Sequence, residues 1–465
     1  MQRILRGCVL LLCCLGAMAH AGEEQGGGVD LAKIKVLDLR TAQSIALIGN
    51  PDMAAAQARI EQARARVSQA AAAWLPSLDV SGAGARQRLS DTSYQYNQSL
   101  ASKLGGSADQ TSENYSASLQ ATWVLFDGFY RSFKEQQAKY GEQSAGAALS
   151  DSRRLLVTSV AEAFLNAQLA QTYIDIARAD ETFYTRQLQD AQNRYDVGAG
   201  PWGDVLNIKV QVNSAKTSLI RSQREFEAAG YGLAALMGLP EAAFPSTLRL
   251  ESLDKEAAAI AVPKENVELL IKEALATRPD IHRLEMTIKQ AEAATGMAKA
   301  PFYPKVQVGG ALEGAKTDDM GLAEEDFGNT VGMNMSWNLY AGGADKARLM
   351  EAEQAKREAV FTLAGLRISV TSEIRQYVAM LIAAEEQVRL QRDTVQLVQE
   401  NRDLAQNEYE AGESSLVRLN EAQRDLITTH GRLAQALVSA QLQKQRLLSA
   451  TGRNLATLDR PTAKP

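Results

Sequence analysis

The chain has 465 residues and a formal net charge of −5, and 45% of its residues are hydrophobic. The length suits one large elongated unit or two to three ordinary domains, and the acidic balance argues against a nucleic-acid partner. All three cysteines (Cys8, Cys13 and Cys14) lie near the N terminus, so the remaining chain has no disulfide, thiolate metal site or cysteine nucleophile.

Residues 1–21 have the pattern of a cleaved secretory signal peptide. Arg3 and Arg6 form a basic start, an apolar run follows, and Ala19-His20-Ala21 fits a cleavage site. The apolar run is too short to span a bilayer as a helix. Loss of the two arginines takes the formal charge to −7. We therefore predict an exported chain, which without a transmembrane helix can still be integral to a membrane as a β-barrel.

Residues 22–237 predict helices and strands in a defined order. An alanine-rich start favours helix, and Tyr115–Leu125 alternates apolar and polar residues as membrane-barrel strands do. A half-buried strand of a soluble sheet would alternate in the same way. The predicted elements are a helix Leu37–Trp74, a strand Leu78–Gln87, a polar loop Ser90–Ser112, a strand Tyr115–Leu125, a long helix Tyr130–Asp196 and a return helix Asp204–Met237. The long helix has heptad spacing and would span about 100 Å.

A glycine-rich break at residues 198–203 separates the long helix from the return helix. Its sequence matches the G-x-G-x-x-G pattern of a phosphate-binding loop, but that motif must follow a strand. Because a helix precedes it here, we interpret it as a hairpin turn with a glycine C-cap. Residues 238–264 contain three prolines and predict an irregular connection.

Residues 265–452 repeat the first half of the chain. Trp123-Val124-Leu125-Phe126-Asp127-Gly128 returns as Trp337-Asn338-Leu339-Tyr340-Ala341-Gly342, an offset of 214 residues. Such a duplication indicates a two-fold internal repeat. The predicted elements are a third strand around Val306–Leu312, a fourth strand Val331–Leu339, a long helix Ala344–Glu410, a return helix Leu416–Leu448 and a polar C-terminal tail 453–465, which is expected to be frayed.

The predicted fold class is α+β and mostly α. In each half the helix before the strands and the return helix together match the long helix in length, so they can stack end to end beside it. The hairpin turns would then lie about 100 Å from the strands. Four strands are too few to close a membrane barrel, and open sheet edges are not viable in lipid. The chain is therefore predicted to form an oligomer.

These features resemble the TolC-like family of outer-membrane efflux proteins, the outer membrane factors. The resemblance covers nearly the whole mature chain and rests on the duplication, the Trp-x-Leu-(Phe/Tyr)-x-Gly junctions and the Tyr-x-x-Gly tips at Tyr195 and Tyr409. It implies a homotrimer in the Gram-negative outer membrane that extends into the periplasm. Its 12-stranded transmembrane β-barrel would contact outer-membrane lipid and continue into an α-helical barrel of long coiled-coil helices.

The resemblance also implies a function. The protein would be the passive exit duct of a tripartite efflux or type I secretion system, docked to a periplasmic adaptor (membrane fusion protein) and an inner-membrane transporter. The sequence contains no catalytic constellation, and only His282 and His430 remain after the signal peptide, so we predict no enzyme activity, cofactor or metal site. A periplasmic coiled-coil scaffold and a general porin are the alternatives; the predominance of helix disfavours a porin.

Site residues follow from the same resemblance. In the family, a tyrosine of the second tip bonds an aspartate just after the first tip, which helps to hold the periplasmic entrance closed. The matching residues are Tyr409 and Asp204. Ser414 replaces an arginine of this gate, so the contacts that close it would be weaker or would involve other residues. Arg418 and Glu421 stand where the family has acidic residues. For Asp204 the alternative role is the N-cap of the return helix.

Two further groups of residues are predicted to contact partners. Adaptor contacts are predicted at the tips, at Gly198, Ala199, Gly412 and Glu413. Aromatic residues predicted to mark the membrane interface are Trp123, Trp337, Tyr115 and Tyr340. The alternatives are simple turn chemistry for the first group and strand packing for the second.

Overall fold

A computed structural model describes residues 35–245, 248–253 and 266–458. The helices are α1 Leu39–Gly49, α2 Pro51–Ala72, α3 Asp91–Lys103, α4 Tyr130–Asp196, α5 Trp202–Leu236, α6 Val267–Thr277, α7 Pro279–Lys299, α8 Ala344–Glu410, α9 Leu416–Ala450 and α10 Asn454–Leu458. The strands are β1 Val36–Leu37, β2 Ser77–Arg88, β3 Thr111–Phe126, β4 Arg249–Leu250, β5 Lys305–Thr317 and β6 Phe327–Ser336. The predicted signal peptide lies outside the described residues, as do parts of the predicted connection and tail. Within the described ranges, no helix combines the length and apolarity needed to cross a membrane.

Two long helices set the dimensions of the molecule. Helices α4 and α8 each have 67 residues, which corresponds to about 100 Å, and they occupy the ranges that the sequence predicts. The return helices α5 and α9 have 35 residues each. Helix α4 packs against α1 and α2 toward one end and against α5 beyond them, and α8 packs in the same way against α6, α7 and α9. Helix α4 also contacts α7 and α9, so the two halves interlock.

The four long strands form one antiparallel sheet in the order β2-β3-β5-β6. Its register places opposed side chains on a common face, because alternate residues of a strand point to opposite sides. The apolar face carries Leu78, Val80, Leu119, Trp123, Val308, Val331 and Met333, and the polar face carries Ser77, Ser81, Ser118, Thr122, Asn334 and Ser336. Most of the apolar face is solvent-exposed in the single chain; Val331, for example, is 81% exposed. The outer edges of β2 and β6 are unpaired within the described part of the chain.

A small parallel pair, β1 and β4, lies beside the middle of α4. Leu37 of β1 and Leu250 of β4 belong to a core cluster with Phe164 of α4. The side chain of Gln171 donates to Leu250 O at 3.1 Å and accepts from Leu250 N–H at 3.0 Å. The connection predicted to be irregular therefore contains a short strand that is tied to the long helix.

The helix that precedes each strand pair is divided in two, so the prediction of one continuous helix Leu37–Trp74 is wrong. Asn50 has extended backbone angles and its side chain accepts from Asp52 N–H, which ends α1 and starts α2. Arg278 has the same extended conformation between α6 and α7. A proline follows each of these residues, and the residue before a proline is disfavoured in the helical region.

Three local differences from the predicted elements have simple causes. The loop predicted at Ser90–Ser112 contains α3, which begins where Ser90 Oγ accepts from Ser93 N–H. The fourth strand ends at Ser336, so Trp337 and Leu339 lie beyond the sheet. The described part of the tail is anchored, because Asn454 is buried and its Nδ2 donates to Arg154 O at 2.8 Å.

Candidate functional site

The two helical hairpin tips share one backbone geometry. Gly198 and Gly412 adopt φ values of +78° and +77°, which glycine reaches without steric cost. Equivalent backbone hydrogen bonds close the tips: Gly198 N to Tyr195 O, Ala199 N to Arg194 O, Gly412 N to Tyr409 O and Glu413 N to Glu408 O. The predicted tip contacts Gly198, Ala199, Gly412 and Glu413 are all exposed. The structure thus leaves all four positions accessible at the ends of the long helices.

The return helices start differently at the two tips. Helix α5 begins at Trp202 after Pro201, which supplies no side-chain cap, so Asp204 lies in the first turn and the alternative N-cap role for it is wrong. A carboxylate in the first turn is still favoured by the helix dipole. Helix α9 is capped by Ser415, whose Oγ accepts from Arg418 N–H at 3.4 Å. The sequence interpretation missed this cap, although a serine before a helical run is the usual signal for one.

Tyr409 is half-buried between the two hairpins. It packs against an apolar cluster that includes Val205 and Leu416. The guanidinium carbon of Arg194 lies 5.2 Å from the centroid of the Tyr409 ring. Burial raises the pKa of Tyr409, and the negative charge of Asp204 raises it further. The structure leaves Asp204 within electrostatic reach of Tyr409, although no hydrogen bond joins these two side chains in the described part of the chain, and it adds Arg194, which sequence comparison did not identify.

The other predicted gate residues are distributed along the start of α9 and the turn before it. Arg418 Nη2 lies 3.5 Å from Glu408 Oε2 of α8, an exposed ion pair. Ser414 donates its backbone N–H to Glu408 O at 3.2 Å. Glu421 is exposed and forms no ion pair with any described residue. Glu408, which interacts with both Ser414 and Arg418, was not predicted from the sequence.

Above the tips, a polar contact joins the two halves of the chain. Gln423 Nε2 of α9 donates to Asp180 Oδ1 of α4 at 2.9 Å. Burial raises the pKa of Asp180, whereas the hydrogen bond from Gln423 opposes the shift. Burial also raises the pKa of Tyr184, one helical turn away, to about 12. These residues are far apart in sequence, and no motif links them.

Replacement of Asp180 by asparagine is expected to raise the unfolding temperature modestly at pH 7. The pKa of Asp180 in the folded chain is raised, so folding favours the neutral form, and ionisation costs stability as the pH rises above the ordinary aspartate value of about 3.9. The amide oxygen of the introduced asparagine would still accept from Gln423 without that cost. The advantage of the variant should shrink as the pH falls toward about 4.

The matched control is Asp175→Asn, in the same helix but with an exposed carboxylate. It should leave the unfolding temperature nearly unchanged. A lower unfolding temperature for Asp180→Asn at pH 7, or a difference independent of pH, would contradict the proposed burial cost.

The aromatic residues predicted at the membrane interface lie at two levels. Trp123, near the helical end of the apolar face, donates Nε1–H to Trp74 O at 2.9 Å. Tyr115 lies on the same strand about 26 Å farther away, and its hydroxyl donates to Glu113. Trp337 and Tyr340 follow the end of β6 and are exposed. The four rings therefore do not form a single row.

The junction between β3 and α4 depends on Gly128. Its φ is +66°, and a Cβ atom there would lie 2.5 Å from Ala300 O. Asp127 pairs with the buried Arg131 at 2.9 Å, and the guanidinium of Arg131 stacks over Trp74 at 4.5 Å. At this junction, close packing and a buried ion pair fix the angle between strand and helix.

Comparison with known proteins agrees with this architecture. The family model described as "Outer membrane efflux protein" matches residues 43–239 and 270–453. The chain is 24% identical over 403 residues to Nodulation protein T of Rhizobium leguminosarum bv. trifolii, which covers 83% of this chain and 79% of that protein. It is also 24% identical over 431 residues to the Cation efflux system protein CusC of Escherichia coli K12, covering 89% and 86%.

A solved structure of CusC has the same fold. It superposes with a TM-score of 0.75 at 20% identity, covering 90% of this chain and 94% of that chain. Because the family model matches most of the chain in both halves, the sequence and the fold lead to one assignment. The chain belongs to the outer membrane efflux protein family.

Proposed function

We propose that this protein is the outer-membrane exit duct of a tripartite efflux or type I secretion system. The family assignment and the named relatives support efflux across the outer membrane. The duct is passive, since its partner transporter would supply the energy. One relative is named for cation efflux, so cations are one class of cargo for such a duct.

One observation carries this proposal: the sheet is apolar on one face, polar on the other and unpaired at both edges within the described part of the chain. Edge strands in lipid would leave backbone hydrogen-bonding groups unsatisfied. Pairing β2 of one chain with β6 of the next removes the edges, and three chains would close a barrel of twelve strands. The apolar face then contacts lipid and the polar face lines the lumen.

The equal lengths of the long helices and of the return helices support the internal duplication.

The long helices would continue the barrel as a periplasmic tunnel of about 100 Å. The exposed tips at its far end are the surface offered to a periplasmic adaptor, which would connect the duct to an inner-membrane transporter. Gly198, Ala199, Gly412 and Glu413 are the proposed contacts, because they are the residues of the turns that project beyond the helices.

The tips also hold the proposed gate. The half-buried Tyr409 lies within electrostatic reach of Asp204 and under the guanidinium of Arg194. The Arg418–Glu408 ion pair ties the start of α9 to the end of α8. The contacts of Tyr409 with the first hairpin favour the arrangement in which the two hairpins lie side by side, whereas the ion pair braces the second hairpin itself. Ser414 makes only a backbone contact here, so aromatic and ionic contacts would replace the arginine that the family uses.

Tyr409→Phe combined with Asp204→Ala is expected to raise single-channel conductance in planar lipid bilayers. Loss of about 1 kcal/mol from the closed state would increase the open population about fivefold. Tyr195→Phe is the matched control, because Tyr195 occupies the same position in the first tip but packs against the exposed Trp202. Unchanged conductance of the double variant in assembled oligomers would contradict the gate.

Membrane fractionation tests the proposed function itself. We expect the mature protein in the outer-membrane fraction, released only by detergent, with the mass of three chains after solubilisation. Release by a salt or carbonate wash would instead favour the periplasmic scaffold, and a permanently high conductance would favour a general porin.

A further inference from the structure

A cavity of about 850 Å³ lies where the sheet meets the helices. We call it the junction cavity. Its sheet wall is formed by Ser77, Thr122, Val124, Lys305 and Ser336. The register pairs Ser77 with Thr122 and Lys305 with Ser336, so these residues share the polar face. In the proposed duct, the junction cavity therefore opens toward the lumen and not toward lipid.

The remaining walls of the junction cavity are largely apolar. They come from the ends of α2 and α7 and the segments that lead into the strands, and include Ala72, Leu75, Pro76, Met297, Pro301 and Tyr303. The volume falls in the range of about 300–1,000 Å³ that is usual for sites of small organic ligands. A site of this composition favours a ligand with an apolar body.

The charged groups of the junction cavity are mainly cationic. Lys305 forms no ion pair or side-chain hydrogen bond with any described residue. Arg348 pairs with Asp345 at 3.0 Å, but its side chain is two-thirds exposed and can reach a ligand. Among the described lining residues Asp127 is the one carboxylate, and Arg131 already neutralises it. An anion would therefore meet the unpaired amine of Lys305, and Asp345, the partner of Arg348, is the carboxylate that competes for the second cation.

We propose that the junction cavity binds amphiphilic organic anions, molecules with an apolar body and a carboxylate or sulfonate group. The anionic group contacts Lys305 and Arg348, and the apolar body lies against Leu75, Pro76 and Tyr303. This inference rests on the proposed function, for which it names a class of cargo. An organic cation would place its charge beside two like charges and is disfavoured.

Isothermal titration calorimetry of the full protein in lipid nanodiscs tests the proposal. The probes are naphthalene-2-sulfonate, the uncharged naphthalene-2-carboxamide and 2-naphthylmethylammonium, with empty nanodiscs as the background. We expect the sulfonate to bind about tenfold more tightly than the carboxamide, as one charge-assisted hydrogen bond would give, and the ammonium to bind most weakly.

Lys305→Ala together with Arg348→Ala should abolish the preference for the sulfonate, whereas Lys305→Arg should retain it. The matched control is Lys316→Ala, because Lys316 lies on the same strand β5 but on the opposite face, paired with Tyr115. Equal binding of sulfonate and carboxamide to the unchanged protein would overturn the proposal, as would a preference that survives the double substitution. If the double variant does not assemble, Lys305→Gln removes the unpaired charge alone and must weaken sulfonate binding.

Planar-bilayer conductance of the same preparations separates the two proposals. Channels that conduct but show no sulfonate preference would refute the anion site and leave the duct intact. Membrane-assembled protein that conducts under no condition would refute the duct instead.

Discussion

Asp280→Asn is expected to destabilise the folded chain by about 3–5 kcal/mol, the usual cost of removing one partner from a buried ion pair. Asp280 is 7% exposed and Arg278 is 5% exposed. Two hydrogen bonds of 2.7 and 3.1 Å join the two side chains. The variant would leave the buried guanidinium with only the partly exposed Glu373 as a charged partner, at 2.8 Å.

This ion pair lies at a meeting point of four helices. Arg278 Nη1, at the start of α7, donates to Ala450 O of α9 at 3.0 Å as well as to Glu373 of α8. Arg154 of α4 donates to Ser449 O at 3.2 Å and approaches Asp280 at 3.9 Å. Loss of one charge therefore affects both halves of the chain at the level where they interlock.

The first half supplies a matched control for Asp280. Asp52 occupies the equivalent position after Pro51, but its side chain is exposed. Asn50, the counterpart of Arg278, bonds only backbone atoms. Asp52→Asn should therefore change the free energy of unfolding, measured by denaturant titration in detergent, by well under about 1 kcal/mol. Equal effects of the two substitutions would contradict the role of the buried network.

The contribution of Asp280 to the free energy of unfolding should change with pH in the opposite direction to that of Asp180. Burial alone would raise the pKa of Asp280, but the hydrogen bonds and charge of Arg278 lower it overall. A carboxylate with a lowered pKa stabilises the fold above its unfolded value of about 3.9, and this contribution is lost as the pH falls through the folded pKa. The stability difference between the natural chain and Asp280→Asn should therefore narrow in acid.

Val331→Arg is expected to prevent assembly in the outer membrane. Val331 is on the apolar face, and an arginine facing lipid near the bilayer midplane costs about 2–4 kcal/mol in each chain. A closed trimer would incur this cost three times. The yield of membrane-inserted trimer, measured after membrane isolation by native electrophoresis, should fall to background.

The neighbouring Thr330→Arg is the control for this substitution. Thr330 is on the polar face, opposite Ala311, where an added guanidinium would remain in the water of the lumen. This variant should assemble normally and change only the conductance. If both arginine variants assemble equally well, the assignment of the two sheet faces is wrong.

Much of the helical architecture could be predicted because it depends on local patterns. Heptad spacing within each long helix, together with the glycines that flank both ends, predicts α4 and α8 with their observed bounds. The breaks at Asn50 and Arg278 were missed, although a proline follows each, because apolar periodicity continues across them. Helix α3 was missed because it is mostly polar, has no apolar stripe and buries no residue.

The tips contain both residues that the sequence could identify and contacts that it could not. Tyr409 and Asp204 were identified by family resemblance, and the structure leaves them within electrostatic reach of each other. Arg194, Glu408 and the Asp180–Gln423 contact were not predicted, because they depend on how separate helices, some more than two hundred residues apart, pack together. The β1–β4 pair was missed because a two-residue strand carries no readable sequence pattern.

The most direct test of the account is a measurement of which sheet face contacts lipid. All three cysteines lie within the predicted signal peptide, so a chain that starts at Gly22 has no other thiol and single cysteines can be introduced into it. Spin labels would be placed at positions 330–335 of β6 in the reconstituted protein, and their accessibility to oxygen and to a water-soluble nickel chelate would be measured. We predict high oxygen accessibility at Val331, Met333 and Met335 and high chelate accessibility at Thr330, Gly332 and Asn334. Equal chelate accessibility on both faces would contradict the central claim that this sheet spans the outer membrane as part of a duct.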